Sequence, residues 1–316
     1  IKGRITATVI TALLMVPFLS LRAASPQDQS DVPDPFSVDV NAVSVLITVT
    51  DNTDGRFVRN LPKSAFRIFE DGEEQEITNF IQQTDMPLTI ALCIDTSSSV
   101  KMKLEFEKEA ALDFLYTIIQ PRDKALLAEF DTGVTLLHDF TTNPNDLAAE
   151  INKLKAGGGT SLYDCLHVVS EQKLMYEDGR RTLVVLTDGS DLSSKHTSDE
   201  ALASVLKAEA AIYAISTTNL GTDQDWQGDS VLKDITNLTG GRVFFPYNNG
   251  ELIKSLKEVE TELRNQYSLT YIPADLEKDG TYRKIEVKVD RDNKILRYRK
   301  GYYAPLPSDL RRRYGF

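Results

Sequence analysis

Leu88-Thr89-Ile90-Ala91-Leu92-Cys93-Ile94 is apolar at nearly every position, and it runs straight into Asp95-Thr96-Ser97-Ser98-Ser99, a carboxylate followed by four hydroxyls. A strand that is apolar on both sides is one buried on both faces, which is the texture of a parallel sheet covered by helices. In open sheets of that kind ligands gather at the carboxyl ends of the strands, so the polar run falls where a site is expected. A second stretch repeats the pattern: Leu183-Val184-Val185-Leu186-Thr187 is followed by Asp188-Gly189-Ser190-Asp191.

Outward from these two stretches, further strands are predicted at 125–130, 135–140, 212–216 and 242–245. Between them lie helical patterns at 104–119, 144–154, 162–176, 198–210, 230–238 and 251–263. Apolar residues recur at helical spacing in the first of these, and Asn143-Pro144 opens the second as a cap followed by a proline at the first helical position. Alternation at this spacing predicts an α/β fold, a Rossmann-like, doubly wound and mostly parallel sheet over 85–265. On either side, 36–84 and 266–305 alternate apolar and polar residues, as in Val43-Ser44-Val45-Leu46-Ile47-Thr48-Val49. Turn pairs punctuate the first block at Asp54-Gly55 and Asp71-Gly72. Each block holds about three strands, too few to bury a face alone. We therefore expect the two to pair into one flanking β-sandwich-like domain with the α/β unit inserted, the alternative being two separate β appendages.

Lys2 and Arg4 precede an uncharged run over 5–21, and Ala23-Ala24-Ser25 supplies small residues. The pattern of 1–24 is that of a secretory signal or a retained N-terminal anchor, followed by a Pro- and Asp-rich linker at 25–35. Residues 306–316 read as a tail. The expected location is secreted, periplasmic or cell-surface, with membrane contact only through that anchor. The 316 residues carry 36 Lys+Arg against 47 Asp+Glu, a formal charge of −11. Without a concentrated basic face, nucleic acid is an unsuitable partner. Two cysteines, Cys93 and Cys165, make neither a disulfide framework nor a four-ligand zinc site, and both are expected as buried thiols.

The candidate site is Asp95, Ser97, Ser99, Thr160 and Asp188. Gly157-Gly158-Gly159 forms a flexible turn that delivers Thr160 to the edge where the two aspartates sit. An all-oxygen set of hydroxyls and carboxylates suits a hard divalent cation: Mg²⁺, or Mn²⁺ or Ca²⁺, which keeps several waters and is seldom caged wholly by protein. Ser97, Ser99 and Thr160 are expected to ligate directly, and Asp95 and Asp188 through water. Bonded directly only to hydroxyls, the metal stays electrophilic, and an open position would accept a partner's carboxylate oxygen. Each of these residues taken alone could be a helix cap or a turn residue, but five converging on one edge are hard to explain that way.

Asp95-x-Ser97-x-Ser99, Thr160 after a glycine run and Asp188-Gly189 after an apolar strand resemble the metal-ion-dependent adhesion site of von Willebrand factor A domains, position by position and in chain order. More loosely, the Glu70-Asp71-Gly72 hairpin and the Tyr282-Arg283-Lys284 and Arg299-Lys300-Gly301-Tyr302-Tyr303 strands resemble the secreted bacterial (acidobacterial-type) family related to those domains. The resemblance implies a Rossmann-like fold, a divalent ion and non-catalytic binding of a protein ligand through its Asp or Glu. Segments 130–134 and 188–195 border the same edge and are expected to shape partner choice. Two other readings compete. One is a metal-free structural scaffold of the cell envelope. The other is an aspartic-type peptidase, raised by Asp131-Thr132-Gly133 but opposed by its spacing of only 36 residues from Asp95, too short for a second lobe.

Overall fold

The computed structural model describes residues 42–82, 86–220 and 226–306. The expected signal or anchor, the linker and the tail beyond 306 lie outside the described residues.

Alternation in the first block forms β1 (Val43–Asp51), which buries Val43, Val45, Ile47 and Val49 on one side. β2 (Phe66–Glu70) and β3 (Glu73–Gln75) close a hairpin across Asp71-Gly72, whose φ values of 48° and 93° are the left-handed pair that a two-residue hairpin turn requires. β4 (Ile77–Ile81) follows. The Asp54-Gly55 turn makes no comparable hairpin: beyond it only a single bridge joins Thr50 to Phe57.

The central unit runs β5 (Leu88–Asp95), α1 (Leu104–Ile118), β6 (Lys124–Phe130), β7 (Val134–Thr141), α2 (Pro144–Ile151), α3 (Leu162–Gln172), β8 (Arg180–Thr187), α4 (Ser198–Lys207), β9 (Ala211–Ser216), α5 (Trp226–Thr239), β10 (Arg242–Phe244) and α6 (Asn249–Leu263). Its six strands lie in the order β10-β9-β8-β5-β6-β7, all parallel except β7. β7 is antiparallel because the link 131–133 is a tight turn, far too short for the crossover that a parallel neighbour needs. Every residue of β5 is buried. Leu88, Ile90, Leu92 and Ile94 face α1, α2 and α6, while Ala91 and Cys93 face α3, α4 and α5. Cys93 and Cys165 are free, buried thiols, and hydrogen bonding to Cys93 together with burial pushes the Cys165 thiol well up. Local chemistry sets the helix ends. Asn143 caps α2 through Asn145 N, Thr197 and Glu200 form a reciprocal capping box on α4, and Gly240 at φ 83° ends α5.

After α6 come β11 (Tyr267–Tyr271), β12 (Tyr282–Val289), β13 (Lys294–Arg297) and β14 (Gly301–Tyr303). They join the early strands in two antiparallel sheets, β13-β1-β11-β4 and β14-β12-β2-β3. Val45 and Ile47 of one sheet and Ile68, Ile285 and Val287 of the other enter a single core with Tyr267 and Leu269. The second block holds four strands where about three were expected. β13 pairs with β1 and β14 with β12, because the chain crosses between the sheets at buried Tyr298 and Arg299.

The amino ends of the central strands are clamped to the chain entering and leaving the unit. Asp123 accepts from Leu88 N at 2.7 Å and Gln120 N at 3.0 Å and pairs with Arg264, just after α6. Arg180 holds the carbonyls of Met86 and Leu263. The carboxyl ends, where Asp95 and Asp188 lie, are at the other edge of the sheet.

Candidate metal centre

β5 ends on Asp95, which is fully buried. One carboxylate oxygen accepts from Ser97 N at 2.9 Å, turning the chain sharply off the strand. The other accepts from Thr187 Oγ1 at 2.7 Å, from the last residue of the neighbouring strand β8. The loop so formed presents Ser97 and Ser99, whose hydroxyl oxygens lie 2.9 Å apart. Ser99 Oγ donates to Asp188 Oδ2 at 2.8 Å, and Asp188 Oδ1 accepts from Ser190 N at 3.0 Å. Asp95, Ser97, Ser99 and Asp188 thus form one connected group, buried at Asp95 and open to solvent at Ser99.

Thr160 is brought to this group by its backbone; its hydroxyl hydrogen-bonds to none of the other four. Gly157 N donates to Thr96 O at 2.7 Å, and Ser98 Oγ to Gly158 O at 2.9 Å, stitching the glycine turn to the 96–99 loop. On its other side, Thr160 O accepts from Leu192 N at 3.0 Å and Ser193 N at 2.9 Å, joining the loop that follows Asp188. Gly158 sits at φ 82°, and a Cβ there would lie 2.8 Å from Thr132 Oγ1 and 2.9 Å from Asp131 Oδ2, so both its conformation and its neighbours demand glycine.

Acidic neighbours hold the loops. Asp191 accepts from Tyr163 N at the start of α3, and Asp164 accepts from the backbone of Lys195 and His196. Ser161, a candidate cap for α3, makes no capping bond, since Asp191 and Ser194 reach that helix end from the other loop. Asp131 accepts from Gly133 N at 3.1 Å and closes the β6–β7 turn. It shares no hydrogen bond with Asp95, so the proton-sharing carboxylate pair of an aspartic peptidase is missing here.

The residue that sequence reasoning missed is Glu107. It is fully buried on α1, and neither of its carboxylate oxygens has a hydrogen-bond partner; nor has the nearby buried hydroxyl of Thr217. Burial, then the charges of Asp95 and Asp188, push the Glu107 carboxyl up to about 8 against the pull of Lys103 and of the Thr217 hydroxyl, which lies close by without hydrogen-bond geometry. Burial also raises Asp95 to about 6, with Asp188 adding to it and the Ser97 and Thr187 hydrogen bonds opposing. A signal was present: Glu107 lies three residues after Leu104 and four before Ala111, on the stripe that α1 buries.

This chemistry fits a hard cation. Asp95 and Asp188 lie at neighbouring strand ends and Glu107 feels both charges from α1, with no Lys or Arg at ion-pair distance from the three among the described residues; the buried oxygens of Glu107 and Thr217 are unpartnered. No group of three or more His, Cys, Asp or Glu side chains is spaced to hold a metal among the described residues, so a metal here would depend on the hydroxyls of Ser97, Ser99 and Thr160.

Residues 90–190 match the family model described as the von Willebrand factor type A domain. The sequence matches no curated protein. Solved structures resemble it at low identity. The PilB minor pilin from Streptococcus sanguinis is 15% identical with a TM-score of 0.47, the match covering 58% of this chain and 63% of that one. A von Willebrand factor type A protein from Catenulispora acidiphila is 12% identical with a TM-score of 0.48 over 87% of this chain and 76% of that one. Proximal thread matrix protein 1 from the mussel byssus, solved with a zinc-occupied MIDAS motif, is 20% identical with a TM-score of 0.48 over 58% and 46%. The chain therefore spans less than two thirds of the pilin. A buried parallel sheet, two strand-end aspartates with their hydroxyl loops, and the family match all fall on one stretch, residues 90–190, which is similar to the von Willebrand factor type A domain.

Proposed function

We propose that this chain is an exported protein-binding module that takes a partner's Asp or Glu through a divalent cation, Mg²⁺ in the first instance, held by Asp95, Ser97, Ser99, Thr160 and Asp188. The observation that carries the reading is the connected group Ser97–Ser99–Asp188 opening to solvent above buried Asp95, with no basic side chain paired with either carboxylate among the described residues. When bound, the cation would supply an electrophilic centre with a free coordination position. The chain's own part is to fix the hydroxyls, hold two negative charges beside them and leave the outer side open. In this reading the role is adhesion rather than catalysis.

In this reading 85–265 is the binding domain, and 36–84 with 266–305 form one β-unit that carries it. Export rests on the basic start and apolar run of 1–24, and on the looser likeness of the flanking strands to a secreted bacterial family. No helix among the described residues is long and apolar enough to cross a membrane.

Calorimetry tests the reading. Wild type is expected to take up one Mg²⁺ or Mn²⁺, and Asp95→Ala and Ser97→Ala to lose it while keeping the wild-type circular dichroism. Equal heats for all three proteins would overturn the metal site and leave the metal-free scaffold, which the mutual hydrogen bonds of Ser97, Ser99 and Asp188 would then explain.

A further inference from the structure

Two of the three loops that carry the metal-site residues also carry the two most exposed large apolar side chains among the described residues: Met102, 86% exposed, and Leu192, 83% exposed. Neither is required by the fold. Val100 and Leu104, two residues either side of Met102, are the buried members of that turn, and Lys103 N donates to Val100 O at 2.8 Å to hold it. Leu192 is fixed by its backbone, since its N–H donates to Thr160 O, and its side chain stands in solvent. Phe106, one helical turn after Met102 on α1, is also exposed and extends that patch along the helix.

Met102 lies just before α1 and Phe106 within it, and α1 packs on one face of the central sheet. Leu192 follows Asp188 in the loop hydrogen-bonded to Thr160, just before α3 on the other face. Ser99 and Asp188, on these same two loops, are hydrogen-bonded to each other, and an anionic oxygen is what complements a cation bound there. Single exposed apolar residues are ordinary on a protein surface. Two of this prominence on the very loops that present the ligands form a pattern: a charged centre with an apolar side chain on each of its two loops.

Resting on the metal-dependent reading above, we propose that the partner offers its carboxylate from a segment with an apolar side chain on each side of the acid, one seated on Met102 and Phe106 and the other on Leu192. Covering an exposed Leu or Met side chain is worth about tenfold or more in affinity, enough to select among segments that all carry an acid.

The test uses the full chain and a phage-displayed library of heptapeptides with a central Asp and randomised flanks, panned in Mg²⁺ and eluted with EDTA. Leu, Ile, Met or Phe is expected to be enriched about tenfold at the positions flanking the Asp. The double variant Met102→Ser, Leu192→Ser is expected to lose that enrichment while its Mg²⁺ heat equals that of wild type. Polar or basic flanks, unchanged apolar enrichment on the double variant, or no EDTA-released clones from a protein that takes up Mg²⁺ would each overturn the proposal. Absence of Mg²⁺ heat in wild type would overturn the metal reading itself and this one with it, and calorimetry tells that failure from the others.

Discussion

Glu107→Gln separates the electrostatic cost of the site from its architecture. In the unfolded chain this carboxyl ionises near its ordinary value of 4.5, whereas in the fold it is held up to about 8, burial being the main cause. Between those values the folded protein keeps a proton that the unfolded chain has lost, so stability falls as pH rises through the window and the loss is complete above about 8. At about 1.4 kcal/mol per pH unit, the whole window amounts to up to about 5 kcal/mol. Asp95, held at about 6, contributes a loss of the same sign, but that one is complete by about pH 6. Urea unfolding in EDTA at pH 6.5 and 8.0 therefore isolates Glu107. Wild type is expected to lose about 2 kcal/mol more over that interval than Glu107→Gln, which has no proton to release at that position. Saturating Mg²⁺ should shrink the difference, since a cation beside Asp95 and Asp188 offsets their repulsion of an ionised Glu107. Equal pH dependence in the two proteins would refute the argument and show that Glu107 reaches solvent or finds a partner.

Gly158→Ala should cost about 1–2 kcal/mol and weaken Mg²⁺ uptake, because φ is 82° and the new methyl would meet Thr132 and Asp131; Gly133→Ala, with open space around it, is the control, and thermal melting with calorimetry reads both. Tyr271→Phe removes a buried hydroxyl that donates to Glu70 Oε2 at 2.6 Å and should lower stability by about 1–3 kcal/mol in urea titration, with Mg²⁺ heats unchanged. Asp123→Ala strips partners from Leu88 N, Gln120 N and Arg264 at once, and a loss of about 3–5 kcal/mol is expected from the shift of its unfolding midpoint.

Much of the α/β unit was readable because its signals are local. An unbroken apolar run has only one economical environment, a strand covered on both faces, and β5 is buried at every position. Caps at Asn143 and Thr197 and the stop at Gly240 act within a single turn of helix, so the residues that specify those ends sit beside them in the chain. The strand count of the second block was misjudged for the opposite reason. A continuous β texture does not record which sheet each half joins, and the crossing at Tyr298 and Arg299 depends on partners from β1 and the turn after α4: Arg299 reaches Ser44 O and Glu209. Ser161 is a similar case, a cap by position whose task is done by Asp191 and Ser194 some thirty residues away.

By itself the sequence determined the order of strands and helices in the central unit, the edge at which Asp95 and Asp188 emerge, and the oxygen-only side chains of the proposed site. Periodicity, turn chemistry and side-chain type are properties of neighbours in the chain, and these three features need nothing more. Tertiary structure alone decided that Asp95 is engaged by Thr187, that Ser99 reaches Asp188, that Thr160 arrives through its backbone, and that Glu107 stands unpartnered behind them. Such pairings join residues 32 to 92 positions apart. They exist only once the sheet has set its register, since a carboxylate's solvation and charge environment are created by the packing around it.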